Sequence, residues 1–177
     1  AGRSPEAPSA GGFSAPETIK ALPDAPGTAV LRDYKTENVE AGRQLAESLG
    51  VRDATVVQGD AFDRASLAAV TPKPTVGIVS GLYELYPENE GLRRSLLGLA
   101  DAIEPGGYLI YTNQPWHPQV EFIARALTNR EGQPWVMRRR TQMEMDQLVA
   151  EAGFDKVDQK MDKWGIFTVS VAKRRDS

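Results

Sequence analysis

From Thr28 to Lys173, short apolar runs alternate with amphipathic stretches of helical period, and this alternation limits the possible folds more than any other feature of the chain. Apolar runs bounded by turn residues predict strands at AVLRDY (Ala29–Tyr34), ATVVQGD (Ala54–Asp60), TVGIVSG (Thr75–Gly81) and GYLIYTN (Gly107–Asn113). Two later runs, KVDQKMD (Lys156–Asp162) and GIFTVSVAK (Gly165–Lys173), predict two more. Helical stretches lie between them. NVEAGRQLAESLG places Val39, Leu45 and Leu49 roughly on one face and closes on Gly50, a residue suited to the left-handed position after a helix. DRASLAAV is shorter. In GLRRSLLGLADAIEPGG, Leu92, Leu96, Leu99 and Ile103 make one apolar stripe, and Pro105-Gly106-Gly107 stops the helix. HPQVEFIARAL is amphipathic too. The last helix opens at TQME, where Thr141 and Glu144 match a capping box, and ends at Gly153.

Strands separated by helices imply right-handed βαβ crossovers and a parallel sheet with helices on both faces. The last two strands have only a short connection, which implies an antiparallel hairpin at one sheet edge. The fold class expected is α/β: Rossmann-like, doubly wound, with a mostly parallel sheet and a C-terminal hairpin.

Residues 1–27 stand apart. Ala, Pro, Gly and Ser dominate them, so they read as a tail or linker with one short helix at Pro16–Leu22, where Pro16 suits the first helical position. Residues 28–174 then make one domain of ordinary size. With 41% hydrophobic residues, the chain can build a real core. Its net charge of −3, with both signs interspersed, argues against a nucleic-acid partner. The absence of cysteine excludes disulfides and thiolate catalysis, and the single histidine, His117, excludes a multi-histidine site within one chain. No metal is therefore expected. No apolar run reaches membrane-spanning length and no signal-peptide pattern is present, so the expected location is cytoplasmic, with no membrane partner.

Open α/β sheets bind ligands beyond the carboxyl ends of their strands. Asp33 and Asp60 fall at two successive strand ends, with Tyr34 and Phe62 beside them. Such a pair can hold an adenosine, one carboxylate accepting from ribose hydroxyls and the other from the adenine amino group. Each acid equally suits a capping role, since Asp is a preferred N-cap and both Asp60 and Asp63 precede RASLAAV. The run Arg138–Arg140 can clamp an anion or form a solvated face. Its place before a helix N-terminus, where the dipole favours anions, favours the solvated reading.

The strings RDY, QGDAFD, VSGLYELYPEN, IEPGGYLIYTNQPWHPQ and PWVMRRRTQMEMDQLVAEAGF together resemble a class I S-adenosylmethionine-dependent methyltransferase. More narrowly, they are similar to a bacterial methyltransferase family, some members of which are fused to an α/β-hydrolase-type domain. The resemblance runs from about Pro16 or Thr28 to Lys173. It implies S-adenosylmethionine as cofactor and an unidentified small-molecule acceptor. It further implies that Asp33 holds the ribose hydroxyls and that Asp60 and Ala61 contact the adenine, whose ring Phe62 or Tyr34 would line in the reading of the residues themselves. Ser80 and Gly81 would lie where the methionine end meets the acceptor, and Tyr83, Trp116 and His117 would line the acceptor side. Tyr83 otherwise packs under a loop, and His117, just before Pro118, otherwise serves a helix start. No catalytic residue is assigned, because methyl transfer from a sulfonium rests on placement and needs a base only if the acceptor must lose a proton. The Asn/Asp-Pro-Pro-Tyr string of many nucleic-acid amino-methyltransferases is replaced here by SGLYELYP, which also weighs against a nucleic-acid substrate.

The family's first motif, a strand leading into a glycine-rich turn, has no counterpart in this sequence. In the usual strand order of the class, 3-2-1-4-5-7-6, that strand lies between the ones ending here at Asp33 and Gly81. A Pro/Gly/Ser tail cannot replace it, because proline donates nothing to a central ladder. Three expectations follow. The two strands pair directly, or another chain fills the gap through unpaired edges, giving an oligomer, or the chain is a piece of a longer protein and inactive by itself. The alternative function is a non-catalytic remnant or interaction module that keeps the fold.

Overall fold

The computed structural model describes residues 27–51, 53–129 and 132–176. The expected tail up to residue 26, with its helix at Pro16–Leu22, lies outside the described residues. The chain divides into two compact units, one ending at Ala61 and the other beginning at Phe62.

The first unit is a single βαβ crossover: β1 (Ala29–Asp33), α1 (Thr36–Ser48) and β2 (Ala54–Gln58). The strands are parallel, with Ala29 opposite Ala54 and Asp33 opposite Gln58. Val39 and Ala46 are the buried residues of α1. Between them, a Cβ at Gly42 would stand 3.1 Å from a Val56 methyl, so this stripe of mostly small residues brings α1 close to β2. The stripe expected from leucine spacing is thereby corrected, for Leu45 is 36% exposed and the helix turns its small residues inward. Gly50, at φ 69°, ends the turn after α1 in the left-handed conformation the sequence predicts.

The second unit contains α2 (Arg64–Ala68), β3 (Val76–Val79), a 3₁₀ turn (Tyr83–Leu85), α3 (Asn89–Ala102) and β4 (Tyr108–Asn113). It continues with α4 (Val120–Ala126), α5 (Gln142–Glu151), β5 (Phe154–Met161) and β6 (Thr168–Arg174). Its sheet has the order β3-β4-β6-β5. β3 and β4 are parallel, whereas β6 runs antiparallel to both neighbours. The expected hairpin is present, with β5 at the edge and β6 inside the sheet. The described strands thus form two sheets, and the strand ending at Asp33 belongs to a different one from the strand preceding Gly81.

The core of this unit joins Leu92, Leu96 and Ile103 of α3 and its end to Leu109 and Tyr111 of β4, Met145, Leu148 and Val149 of α5, and Phe154. Alternation along β4 puts Leu109, Tyr111 and Asn113 on this covered face. On the opposite face Val76, Ile78, Tyr108 and Val169 are 41–63% exposed. The expectation of helices on both faces is therefore corrected for this sheet among the described residues. α3 and α5 share one side, and α4 buries nothing. β6 also turns its small polar residues inward. Thr168 Oγ1 donates to Gln142 Oε1 at 2.8 Å, and Tyr111 Oη donates to Asp146 at 3.1 Å, so α5 and the sheet meet through satisfied polar contacts. Gly98 permits a close helix crossing, since a Cβ there would lie 3.0 Å from Arg64 Cα and 2.8 Å from a Leu67 methyl. Among the described residues no helix is long and apolar enough to cross a membrane.

Candidate functional site

In the first unit the ladder continues one step past β2, where the Gly59 amide donates to the Asp33 carbonyl at 2.9 Å. That bond brings Asp60 beside the end of β1, so two carboxylates occupy neighbouring strand ends. Asp33 Oδ1 accepts from the Lys35 amide at 2.8 Å and from Asn38 Nδ2 at 3.0 Å. This is the local turn chemistry that starts α1, and it leaves Oδ2 without a hydrogen bond among the described residues. Both readings of Asp33 are thus compatible with its position: one oxygen organises the helix start and the other makes no hydrogen bond among the described residues. Tyr34 is 70% exposed, and its carbonyl accepts from Gln58 Nε2 at 3.1 Å. Asp60 is exposed and Ala61 half-buried. Asp63, not Asp60, caps α2, accepting from the Ser66 amide at 3.1 Å. A Cβ at Gly59 would fall 2.4 Å from the Arg32 guanidinium that lies over it, the far end of a flexible side chain.

In the second unit Phe62 packs edge-on against Tyr86, with ring centres 4.6 Å apart, and supports the core. Ser80 is exposed and Gly81 half-buried, with φ 67° and open space where a Cβ would point. The Gly81 amide donates to Thr112 Oγ1 at 2.8 Å, tying together the carboxyl ends of β3 and β4. Tyr83 lies in the core at 2% exposure, its hydroxyl 2.9 Å from Ser95 Oγ. Burial pushes its phenol far above the ordinary range, so the packing alternative describes its position. Trp116 is 56% exposed. His117 Nδ1 accepts from the Gln119 amide at 3.1 Å, as a residue at a helix start does.

The arginine run divides by residue. Arg140 is 1% exposed and donates to the carbonyls of Tyr83 and Tyr86 and to Asn89 Oδ1, at 2.8–2.9 Å. It staples the loop after β3 to the start of α5. Arg138 donates to the Pro87 carbonyl and pairs with Glu144. The capping box is consequently half-formed: Thr141 Oγ1 accepts from the Glu144 amide, while the Glu144 carboxylate serves Arg138 and Asn89. Arg139 has its guanidinium nitrogens shielded from solvent and no hydrogen-bond partner. Glu84 Oε2 and Gln114 Oε1 are likewise shielded and unpartnered, in residues 6% and 7% exposed. Burial raises the Glu84 carboxyl above its usual range, while the charges of Arg139 and Arg140 oppose the rise. Burial lowers His117, and the Arg139 charge lowers it further. The Arg139 charge thus acts on both Glu84 and His117, while Gln114 directly follows β4 in the sequence. The sequence reading selected His117 and weighed Arg139 only within the Arg138–Arg140 run, where it favoured a solvated face; Glu84 and Gln114 carry no sequence signal of their own.

Comparison with known proteins agrees with this architecture. A family model described as "Putative methyltransferase" matches residues 10–174. The protein YnbC of Escherichia coli K12 is 56% identical over 163 residues, covering 90% of this chain and 28% of that protein. This chain therefore spans under a third of that relative's length. Among solved structures, a SAM-dependent methyltransferase from Methanosarcina mazei matches with a TM-score of 0.67 at 14% identity, over 90% of this chain and 85% of the other. An O-methyltransferase family protein from Burkholderia thailandensis matches at 0.70 and 12%, over 91% and 47%. Magnesium protoporphyrin IX methyltransferase from Synechocystis, with bound SAH, matches at 0.65 and 16%, over 91% and 80%. At these identities the structural likeness speaks to fold alone.

Proposed function

Because the chain belongs to the "Putative methyltransferase" family, we propose that it transfers a methyl group from S-adenosylmethionine to a small-molecule acceptor. The family match over residues 10–174 carries this reading. The likeness in fold to methyltransferases supports it. When bound, the cofactor supplies a methyl on a positive sulfur, already activated for transfer.

The chain's own contribution is binding and orientation. Asp33 and Asp60 suit an adenosine, since carboxylates accept from ribose hydroxyls and from an exocyclic amino group. The unbonded Asp33 Oδ2 is the acceptor available for a hydroxyl. Ala61 and Tyr34 flank that end in our reading. Ser80 and Gly81 receive the methionine end, where the open space beside Gly81 admits a ligand without a side-chain clash. The net charge of −3 offers no electrostatic footprint for a nucleic acid, which supports an acceptor of another class.

Isothermal titration of S-adenosylmethionine and S-adenosylhomocysteine into the chain tests the reading. Saturable binding is expected, with affinity at least about tenfold lower in Asp33→Ala, the loss of a charge-assisted hydrogen bond. Absence of binding by both compounds would refute cofactor use by this chain.

A further inference from the structure

We propose that Thr112 is a positioning residue: its hydroxyl fixes the backbone of Ser80 and Gly81, where the methionine end of the cofactor is received. The functional half of this statement rests on the methyltransferase reading; the hydrogen bond that carries it does not.

The backbone between Val79 and Tyr83 has an anchor at each end. Val79 is the last residue of β3 and lies opposite Tyr111 in the parallel ladder. Tyr83 is 2% exposed with its hydroxyl on Ser95, and the carbonyls of Tyr83 and Tyr86 accept from Arg140. Ser80 and Gly81 lie between these anchors, exposed and half-buried respectively. Gly81 stands at φ 67°, the left-handed region in which the chain turns away from the strand direction. Its amide donates to Thr112 Oγ1 at 2.8 Å.

The register explains why that bond is informative. The Tyr108 amide donates to the Thr75 carbonyl, so alternate residues 75, 77 and 79 turn their backbone groups to β4. One step further, a continued ladder would give the Gly81 amide the Thr112 backbone carbonyl. It takes the hydroxyl of the same residue instead. A side chain thus stands in for the carbonyl, and β3 can part from β4 with the amide still satisfied. The parting lies at the carboxyl end of the pair, where open sheets bind ligands, and a Cβ on Gly81 would meet nothing within 4 Å. Thr112 lies opposite Val169, and its other neighbours on that side of the sheet, Ile110 and Val171, are apolar too. An aliphatic residue would therefore suit the surface, whereas the hydroxyl serves the Gly81 amide. β-Branching restricts χ1 and holds Oγ1 in place before any ligand arrives. Without the bond, the glycine regains its freedom of φ, and binding must first order it.

The test compares Thr112→Val, which keeps the shape and removes the acceptor, with Thr112→Ser, which keeps the acceptor, both in the full chain. Hydrogen exchange of the Gly81 amide is read by NMR, stability by urea unfolding, and S-adenosylhomocysteine binding by calorimetry. In Thr112→Val the Gly81 amide should exchange at least about tenfold faster, and affinity should fall roughly three- to tenfold, the value of one neutral hydrogen bond. The urea midpoint should stay within about 0.5 M, because the amide is only part-buried and turns to water. Thr112→Ser should restore the protection and most of the affinity. Faster exchange at Gly81 with unchanged affinity would overturn the proposal and leave the methyltransferase reading standing. A midpoint lowered by more than about 1 M in Thr112→Val would overturn it too, making the bond a support of the fold. Failure of the wild-type chain to bind S-adenosylhomocysteine would remove the methyltransferase reading and the positioning role with it.

Discussion

Replacing Arg140 with methionine isolates the one charged side chain that is completely buried among the described residues of the second unit. The side chain is 1% exposed, and its donors reach the Tyr83 carbonyl at 2.8 Å, the Tyr86 carbonyl at 2.9 Å and Asn89 Oδ1 at 2.8 Å. Methionine keeps most of the apolar stem and its packing but donates nothing. The Tyr83 bond is buried, so its orphaned carbonyl costs about 1–3 kcal/mol, while the two part-buried acceptors cost about 1 kcal/mol each. The total is about 3–5 kcal/mol, a large share of the roughly 5–15 kcal/mol that holds a domain folded. With a urea m-value of about 2 kcal/mol/M, the unfolding midpoint should fall by about 1.5–2.5 M at unchanged slope. Arg138→Ala is the internal comparison. Its pair with Glu144 is 39% and 29% exposed, so its loss should cost under about 1 kcal/mol. Equal midpoints for the two variants, or a shift under about 0.5 M for Arg140→Met, would refute the view that Arg140 fastens the 83–89 loop to α5.

Three further outcomes follow from the geometry. Gly98→Ala should destabilise by about 1–3 kcal/mol in chemical denaturation, because the added Cβ meets Arg64 Cα at 3.0 Å and the overlap outweighs the gain in helix propensity of about 1 kcal/mol. Asp63→Ala should cost about 1 kcal/mol, the value of a helix N-cap, through loss of the bond to the Ser66 amide. Glu84→Gln should be pH-dependent. Because burial holds this carboxyl above its ordinary value of 4.5, its ionisation is disfavoured in the folded state, and wild-type stability is lost as pH rises through the folded pKa. The variant should therefore gain on wild type above about pH 4.5 and match it in acid, read from thermal melts across that range. A gap independent of pH would refute the assignment.

The strand–helix order was legible because it rests on local rules. Apolar runs of strand length, Gly50 after a helix and the Thr141 cap announce themselves within a few residues, and each stands where it was expected. The facing of the elements was not legible. α1 buries Val39 and Ala46 rather than Leu45, since the close approach of Gly42 to Val56 favours small residues there. β6 buries Thr168 and Ser170 and leaves Val169 outward, since Gln142 of α5 offers them hydrogen bonds. Hydrophobicity gives the period of such a strand, whereas the chemistry of the partner surface selects its face.

The strand ends were marked in the sequence as well, and Asp33, Asp60, Ser80 and Gly81 lie there. The division of the arginine run was not, because three consecutive identical residues carry no information about their partners. In an extended segment successive side chains point to opposite sides. What surrounds each, the carbonyls around Tyr83 for Arg140 or the Glu84 carboxyl that couples to Arg139, comes from residues some 50 positions earlier in the chain. Local sequence by itself determined the elements, their order and their polarity, because backbone preferences act over a turn or two. The tertiary structure alone decided which charge became a buried staple and which was left incomplete, because desolvation and pairing depend on neighbours that only folding assembles.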